Sequence, residues 1–191
     1  MPAALQIREL TAVGAGEIRA LADVLIDCVE GGASVSFMRP LTRAKAEAFW
    51  RGVAAGVARG ERLLLVAEDA AGAIVGTVQV ILNLPENQPH RGDVAKMLVR
   101  REARRRGAGG ALLAAAERAA RRAGRTLLVL DTVTGGDAER LYARHGWQRC
   151  GEIPNYALFP DGRPCATTVF FKALVAAPAD PPTGPRRHPT A

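Results

Sequence analysis

The chain has 191 residues, a hydrophobic share of 48% and a formal net charge of +7 at pH 7. That length suits a single domain with a sizeable core and leaves little for a second one. No apolar run reaches the length of a membrane span, and Arg8 and Glu9 stand where a signal peptide requires continuous apolar residues. Cys28, Cys150 and Cys165 lack the spacing of a metal site, so we expect reduced thiols in a cytoplasmic protein.

The first half of the chain predicts a strand, two helices and a hairpin. Residues 16–30 carry apolar side chains at three- and four-residue spacing, which is typical of an amphipathic helix. Thr42 is placed to cap a second helix that ends at Gly60. The turn over residues 69–72 joins two strands into a hairpin. The predicted strands of this half cover residues 5–10, 63–68 and 73–84.

The second half predicts two further helices and four strands. The long helix covers residues 107–123, and a short helix over 136–144 is ended by Gly146. Residues 176–191 are rich in proline and lack periodicity, so we expect a disordered tail after a domain over 1–175. The predicted strands cover residues 94–99, 126–130, 147–153 and 167–174. The long helix is expected to bury Leu112, Leu113, Ala116 and Ala120 and to show Glu117, Arg118 and Arg121 to water.

The predicted order is β-α-α-β-β-β-α-β-α-β-β, an α/β (α+β) arrangement. The long helix links two strands into a β-α-β unit, which implies a parallel pair with a right-handed crossover. The remaining strands suit antiparallel pairing, so the sheet is expected to be mixed. The segment 126–130 is apolar throughout, as in the centre of a sheet.

A basic turn opens the long helix. Residues 100–106 contain five arginines and one glutamate, and Gly107, Gly109 and Gly110 follow. Free N–H groups at such a helix start, with the positive end of the helix dipole behind them, predict a polyphosphate site. A Walker-type loop is excluded because Ala111 stands where lysine is needed. A dinucleotide fingerprint would need a third glycine at Leu112, and the mixed sheet also disfavours it.

Two segments resemble the GNAT superfamily of acetyl-CoA-dependent N-acetyltransferases. The first is Arg104-x-x-Gly107-x-Gly109, between a strand and a helix. The second is Ala138-x-x-Leu141-Tyr142-x-x-x-Gly146-Trp147, which is similar to the short helix and the Gly-aromatic strand start of that family. The family's usual Asn three residues before the Ala is Gly135 here. The cofactor contact that this Asn would make is therefore not expected.

Further motifs are similar to the tabtoxin-resistance branch of this superfamily, and together they cover nearly the whole chain apart from the tail. These motifs lie in residues 31–38, 130–132, 151–156 and 167–172. The resemblance implies a twisted, mostly antiparallel mixed sheet of about seven strands with helices on both faces. A splayed parallel strand pair would bind acetyl-CoA. The acceptor would be a small-molecule amine, such as an amino acid or an amino-acid-like antibiotic, attacked directly without a covalent acetyl-enzyme.

The resemblance also implies residue roles. Tyr142 would donate a proton to the departing thiolate; the alternative for Tyr142 is a core aromatic whose hydroxyl is satisfied locally. Residues of the 31–38 loop, namely Ser34, Phe37 and Met38, would cover the acceptor. The acetyl-CoA site would comprise Met97, Leu98, Val99, Arg104, Arg105, Arg106, Gly107, Ala108, Gly109, Gly110, Ala111, Ala138 and Tyr142.

The placement of acidic residues suggests how the amine loses its proton. Asp93 and Asp131 lie at predicted strand ends near the parallel pair. Either carboxylate could accept the proton or bind a cationic substrate; otherwise Asp93 is a loop acceptor and Asp131 a cap of the next segment. No metal site is predicted. Two other functions stay open, a catalytically silent acyl-CoA sensor and a nucleic-acid-binding module that uses the arginines. The oligomeric state, monomer or homodimer, is also open.

Overall fold

The computed structural model describes residues 5–174, so the predicted tail lies outside the described residues. The element order is the predicted one, with an added 3₁₀ turn at Arg101–Ala103. The helices are α1 (Ala15–Glu30), α2 (Arg43–Ala58), α3 (Ala108–Arg122) and α4 (Asp137–Arg144). The strands are β1 (Gln6–Glu9), β2 (Arg62–Glu68), β3 (Ile74–Ile81), β4 (Arg91–Val99), β5 (Leu127–Val133), β6 (Gln148–Leu158) and β7 (Pro164–Ala173).

The seven strands form one sheet in the order β1-β2-β3-β4-β5-β7-β6. Strands β4 and β5 are parallel, and every other neighbouring pair is antiparallel. The predicted mixed sheet and its β-α-β unit are therefore confirmed. Thr42 caps α2 as predicted, because its hydroxyl accepts a hydrogen bond from the backbone N–H of Lys45.

The sheet is buried on both faces, as the alternation of β2 side chains shows. Leu63 and Leu65 pack in the core beneath α3 and α4, whereas Leu64 and Val66 pack in the core beneath α1 and α2. Successive side chains of a strand point to opposite faces, so a continuous apolar run is what a doubly covered strand requires. The prediction of helices on both faces is confirmed.

Strand β5 extends further than its apolar run. The prediction ended the strand at residue 130, but it continues to Val133 because Asp131 and Thr132 pair with Val169 and Thr168 of β7. Asp131 therefore lies inside a strand, and the prediction that it lies at a strand end is wrong. A pairing with a segment almost forty residues later leaves no trace in local hydrophobicity.

Glu117 of α3 is buried, which corrects the prediction that it faces water. Its side chain is 9% exposed and forms an ion pair of 2.8 Å with Lys172 of β7. The carboxylate of Glu117 also accepts a hydrogen bond at Oε1 from the indole N–H of Trp147, at 3.0 Å. Lys172 also donates to the carbonyl of His145 at 2.8 Å, so this network joins α3, β7 and the end of α4.

We expect the substitution Glu117→Ala to lower the free energy of unfolding by about 3 kcal/mol, because it leaves the Lys172 ammonium and the Trp147 N–H without their partner in a poorly solvated position. Urea denaturation measures this loss. The neighbouring Arg118 is exposed, so Arg118→Ala should change stability by less than about 0.5 kcal/mol. Equal effects of the two substitutions would contradict the network.

Candidate active site

The parallel strands β4 and β5 separate along their length. They pair only at three positions, from Arg91 with Leu127 to Asp93 with Val129. Beyond that point β4 bulges, with Lys96 at a φ of 50°, and the register with β3 shifts. A cleft of about 1170 Å³ opens where the pairing stops. This volume exceeds the roughly 1,000 Å³ upper range of ordinary small-molecule sites, which leaves room for two substrates.

The N-terminus of α3 faces this cleft without a capping side chain. Its N-cap, Gly107, has a φ of 86°, a left-handed conformation that glycine adopts without strain. Gly109 and Gly110 let α4 approach closely: a Cβ at Gly110 would lie 2.9 Å from His145 Nε2, and one at Gly109 would lie 3.1 Å from Leu141. The glycines thus leave backbone N–H groups available at the positive end of the helix dipole, as an anion requires.

Asp27 of α1 anchors the basic turn that leads into α3. Its carboxylate accepts hydrogen bonds from the backbone N–H of Arg101 at 2.8 Å and from the Arg101 guanidinium at 2.9 Å. Burial by itself would raise the pKa of the Asp27 carboxyl, but these bonds and the charge of Arg101 outweigh it and lower the pKa. The carboxylate therefore stays ionised and holds the turn beside the cleft.

The predicted phosphate-site arginines differ in their positions. Arg104 and Arg105 line the cleft, and Arg104 Nε donates to the carbonyl of Val99 at 3.0 Å. Arg106 and Ala111 are not among the lining residues of the described chain. The helix α3 has 15 residues, so the arginines near its other end lie about 20 Å from its N-terminus. These arginines therefore do not contribute to the phosphate site.

Those remote arginines serve the fold instead. Arg121 donates to the carbonyl of Leu174 at 2.9 Å, and Arg122 pairs with Glu9 at 2.7 Å. Arg125 donates to the backbone carbonyl of Pro89. Because these guanidinium groups already have protein partners, they do not form a free basic stripe of the kind that a nucleic-acid backbone needs.

The charges that line the cleft are predominantly positive. Five cationic and two acidic side chains are present among its described lining residues. The cationic residues are Lys96, Arg104, Arg105, Arg140 and Arg144, and the acidic residues are Asp131 and Asp137. This excess of positive charge favours a polyanionic ligand. Within residues 5–174, no group of three His, Cys, Asp or Glu side chains is arranged to hold a metal ion.

Tyr142 lies on α4 at the wall of the cleft. Its ring packs against Trp147 and Phe170, with ring centroids 5.8 Å and 6.1 Å away. Its hydroxyl has no hydrogen-bond partner within the described residues. Burial and, second, the negative charge of Asp131 raise the pKa of the Tyr142 hydroxyl, so it is protonated at neutral pH. The ring is thus part of the core, and the hydroxyl is free to donate.

The two carboxylates predicted for the amine occupy different environments. Asp131 lines the cleft, and the Thr167 hydroxyl lies 2.9 Å from its Oδ2. Asp93 lies in the paired part of β4 and is not among the lining residues of the described chain. Its Oδ2 pairs with Arg91 at 3.1 Å, while its Oδ1 is buried without a partner. Burial raises the pKa of Asp93, partly offset by Arg91 and reinforced by Asp131.

The loop between α1 and α2 forms another wall of the cleft. Ser34, Phe37 and Met38 all line it, as predicted for residues that cover an acceptor, but their binding role stays a prediction. The Ser34 hydroxyl donates to the carbonyl of Leu158 at 2.7 Å, which ties the loop to β6. Phe37 packs edge-on against Phe49 of α2 at 5.3 Å. The loop is therefore held by both the helical layer and the edge of the sheet.

Several lining residues were absent from the sequence-based set. Lys96 is the single charged residue in the predicted strand 94–99, a signal that could have identified it. Cys28, Tyr156 and Thr167 reach the cleft only through packing of distant segments, which no local pattern reports. All three cysteines are free. Burial raises the pKa of the Cys28 thiol despite the nearby Arg104, so this thiol is a poor nucleophile.

No helix within the described residues is both long and apolar enough to cross a membrane. Residues 60–149 match the Acetyltransferase (GNAT) domain family. This segment contains the splayed strands, the glycine-opened helix and α4.

Solved structures share the whole fold at low identity. A protein provisionally assigned as a phosphinothricin N-acetyltransferase superposes with a TM-score of 0.75 at 19% identity, covering 91% of this chain and 100% of its own. The yncA protein of Salmonella typhimurium, provisionally assigned as an acetyltransferase and solved with acetyl-CoA, superposes with a TM-score of 0.74 at 19% identity. The match covers 94% of this chain and 99% of that protein. A GCN5-related N-acetyltransferase from Kribbella flavida superposes with a TM-score of 0.73 at 24% identity. The match covers 89% of this chain and 98% of that protein.

These superpositions establish the fold, and the matched segment adds the domain type. The predicted resemblance to GNAT proteins is confirmed at this level, whereas the tabtoxin-resistance branch is not resolved by these matches. Residues 60–149 match the GNAT acetyltransferase domain, and the described chain has the fold of the solved GNAT structures.

Proposed function

We propose that the protein transfers the acetyl group of acetyl-CoA to the primary amine of a small molecule, an amino acid or an amino-acid-like antibiotic of the tabtoxin type. The observation that carries this proposal is the cleft itself. It has the uncapped N-terminus of α3 on one wall, with the Tyr142 hydroxyl and the Asp131 carboxylate on others. A cytoplasmic location belongs to the proposal and is supported by the three free cysteines.

The geometry of the α3 start supports acetyl-CoA as the donor. Backbone N–H groups from Gly107 to Gly110 would hold the pyrophosphate, with Arg105 beside them. The exposed edge of β4 at Met97 and Leu98 would pair with the amide-containing arm, and its N–H groups would stabilise the oxyanion. When bound, this donor supplies the thioester that is attacked.

The protein groups have complementary proton roles in the proposed reaction. Asp131 takes the proton of the attacking amine as the new C–N bond forms, and Tyr142 donates a hydrogen bond or proton to the sulfur as the C–S bond breaks. The negative charge of Asp131 is one cause of the raised pKa of Tyr142. Proton uptake by Asp131 removes that charge, so Tyr142 becomes a stronger acid at the moment when the thiolate leaves.

Calorimetry with acetyl-CoA is the first test of the proposed function. We expect a dissociation constant between about 1 µM and 1 mM, the range in which most enzymes bind their substrates. A thiol-release screen of amino acids, antibiotics and other small amines then identifies the acceptor. Absence of binding at millimolar acetyl-CoA would exclude the donor. Binding without turnover of any amine would favour a silent acyl-CoA sensor.

The substitution Tyr142→Phe should lower kcat about tenfold, because it removes one charge-assisted hydrogen bond to the developing thiolate and leaves the core ring in place. The affinity for acetyl-CoA and the melting temperature should stay unchanged, which serves as the control. Steady-state thiol release and calorimetry measure the two quantities. An unaltered kcat would remove Tyr142 from the acid role.

A further inference from the structure

Lys96 is a cation in the wall of the cleft that forms no ion pair with a carboxylate of residues 5–174. It lies at the β4 bulge with a φ of 50°, a conformation that costs a residue other than glycine about 1 kcal/mol or more. Its ammonium donates to the Ser36 hydroxyl at 3.1 Å and lies 5.7 Å from the centre of the Phe49 ring. Among the ion pairs of the described residues, none includes Lys96.

A partly buried ammonium in this position is poorly solvated. Burial lowers the pKa of Lys96, and the negative charge of Asp131 acts against this shift. The charges of Lys96 and Asp131 therefore interact, although the two side chains are not within ion-pair distance of each other. A charge that has lost part of its water gains most from an anion that enters the cleft.

Lys96 and Asp131 lie on opposite strands of the splayed pair, where β4 and β5 no longer bond to each other. Ser34 and Ser36 of the loop between α1 and α2 line the same cleft as these two side chains. A positive and a negative group that face one cleft without touching are complementary to a ligand that carries both charges.

We propose that Lys96 binds the carboxylate of the acceptor while the acceptor's amine faces Asp131, so that the enzyme selects small zwitterions with an unblocked carboxylate. This inference rests on the proposed function and adds a specificity-determining residue to it. The Ser36 hydroxyl, which already accepts from the ammonium, positions Lys96 and would offer its own proton to the same carboxylate.

Lys96 has an alternative role as a donor to the oxyanion of the reaction. The two roles differ in their kinetics. A group that binds the acceptor carboxylate changes KM for acceptors that have one and leaves carboxamides untouched. A group that stabilises the transition state lowers kcat for every acceptor, whether or not the acceptor carries a carboxylate.

The test compares the twenty L-amino acids with their carboxamides as acceptors, using thiol release by the wild-type protein. We expect the carboxamide of each accepted amino acid to have a KM about 30-fold higher than the free acid. The variant Lys96→Met should raise KM for the free acid by a similar factor and leave KM for the carboxamide unchanged. Lys96→Arg keeps the charge and should recover part of the difference.

Acetyl-CoA affinity measured by calorimetry controls for folding of both variants, and the wild-type comparison needs no variant at all. Turnover of amines with no preference for the free acid, or a fall in kcat for all acceptors in Lys96→Met, would overturn the role of Lys96 and leave the acetyltransferase activity standing. Bound acetyl-CoA with no turnover of any amine would overturn the proposed function and this inference together.

Discussion

The substitution Asp131→Asn is expected to lower kcat by at least about 100-fold, since a positioned base contributes that much or more to a proton transfer. Asp131 is an acidic side chain whose charge acts on three other titrating groups: it adds to the burial that raises the pKa of Asp93 and of Tyr142, and it opposes the burial that lowers the pKa of Lys96. Asparagine keeps the oxygen that lies near the Thr167 hydroxyl, so the strand pairing should persist. A fall in kcat would therefore result from the loss of the negative charge and of the proton-accepting carboxylate, and not from a change in the fold.

The matched control is Glu86→Gln, which removes an exposed carboxylate in the loop before β4, outside the cleft lining. Its kcat should equal that of the wild-type protein. Asp93→Asn completes the comparison, because Asp93 has a raised pKa but lies in the paired part of β4. If Asp93→Asn loses activity and Asp131→Asn retains it, the base is Asp93.

The substitution Gly110→Val is expected to weaken acetyl-CoA binding by about 100-fold. A Cβ at this position would lie 2.9 Å from His145 Nε2, so the exposed His145 ring must turn aside, and the γ-methyl groups of valine would crowd the start of α3 further. This crowding disturbs the alignment of the N–H groups of the first helical turn with the pyrophosphate, and the loss of one or two charge-assisted hydrogen bonds accounts for the factor. Overpacking should also lower the free energy of unfolding by about 1–3 kcal/mol.

Two comparisons separate this effect from the general cost of valine in a helix. Gly52 is exposed in α2, and a Cβ there meets nothing within 4 Å, so Gly52→Val should leave acetyl-CoA affinity intact. Gly110→Ala should weaken binding, and adding His145→Ala should restore much of it by removing the ring that the new methyl group strikes. Calorimetry measures each affinity. A failure of the second substitution to rescue binding would contradict the close-approach argument.

The helices and most strands were predictable because their signals are local. The apolar spacing of α1 and the Thr42 cap of α2 depend on residues within one or two turns of each other. The glycines that open α3 likewise act on their own helix start, so the anion site could be located before any tertiary contact was known. The same locality explains why β5 was predicted too short, since its last residues are held by β7.

The candidate site was only partly predictable. Tyr142, Asp131 and the residues of the α3 start line the cleft, as a site built from them requires, whereas Asp93, Arg106 and Ala111 do not. The sequence offers each as a charged or glycine-adjacent residue in a suitable segment. Whether Asp93 reaches the cleft depends on the pairing of β4, and whether Arg106 and Ala111 do depends on how the start of α3 is turned. A single residue of shift reverses the face of every side chain in a strand.

By itself, the sequence determined the order of elements, the mixed sheet and the glycine-opened helix that predicts a polyphosphate site, because periodicity, caps and turns act over a few residues. The helices on both faces of the sheet and the acetyl-CoA donor were implied by the GNAT resemblance. Only the tertiary structure decided that Glu117 is buried against Lys172, that β4 bulges at Lys96, and that Asp131 faces the cleft. Each of these outcomes depends on a partner tens of residues away, brought close by the packing of β7 or by the splaying of β4 from β5. The proposed donor site thus depends mainly on local sequence, whereas the proposed acceptor site depends on tertiary packing.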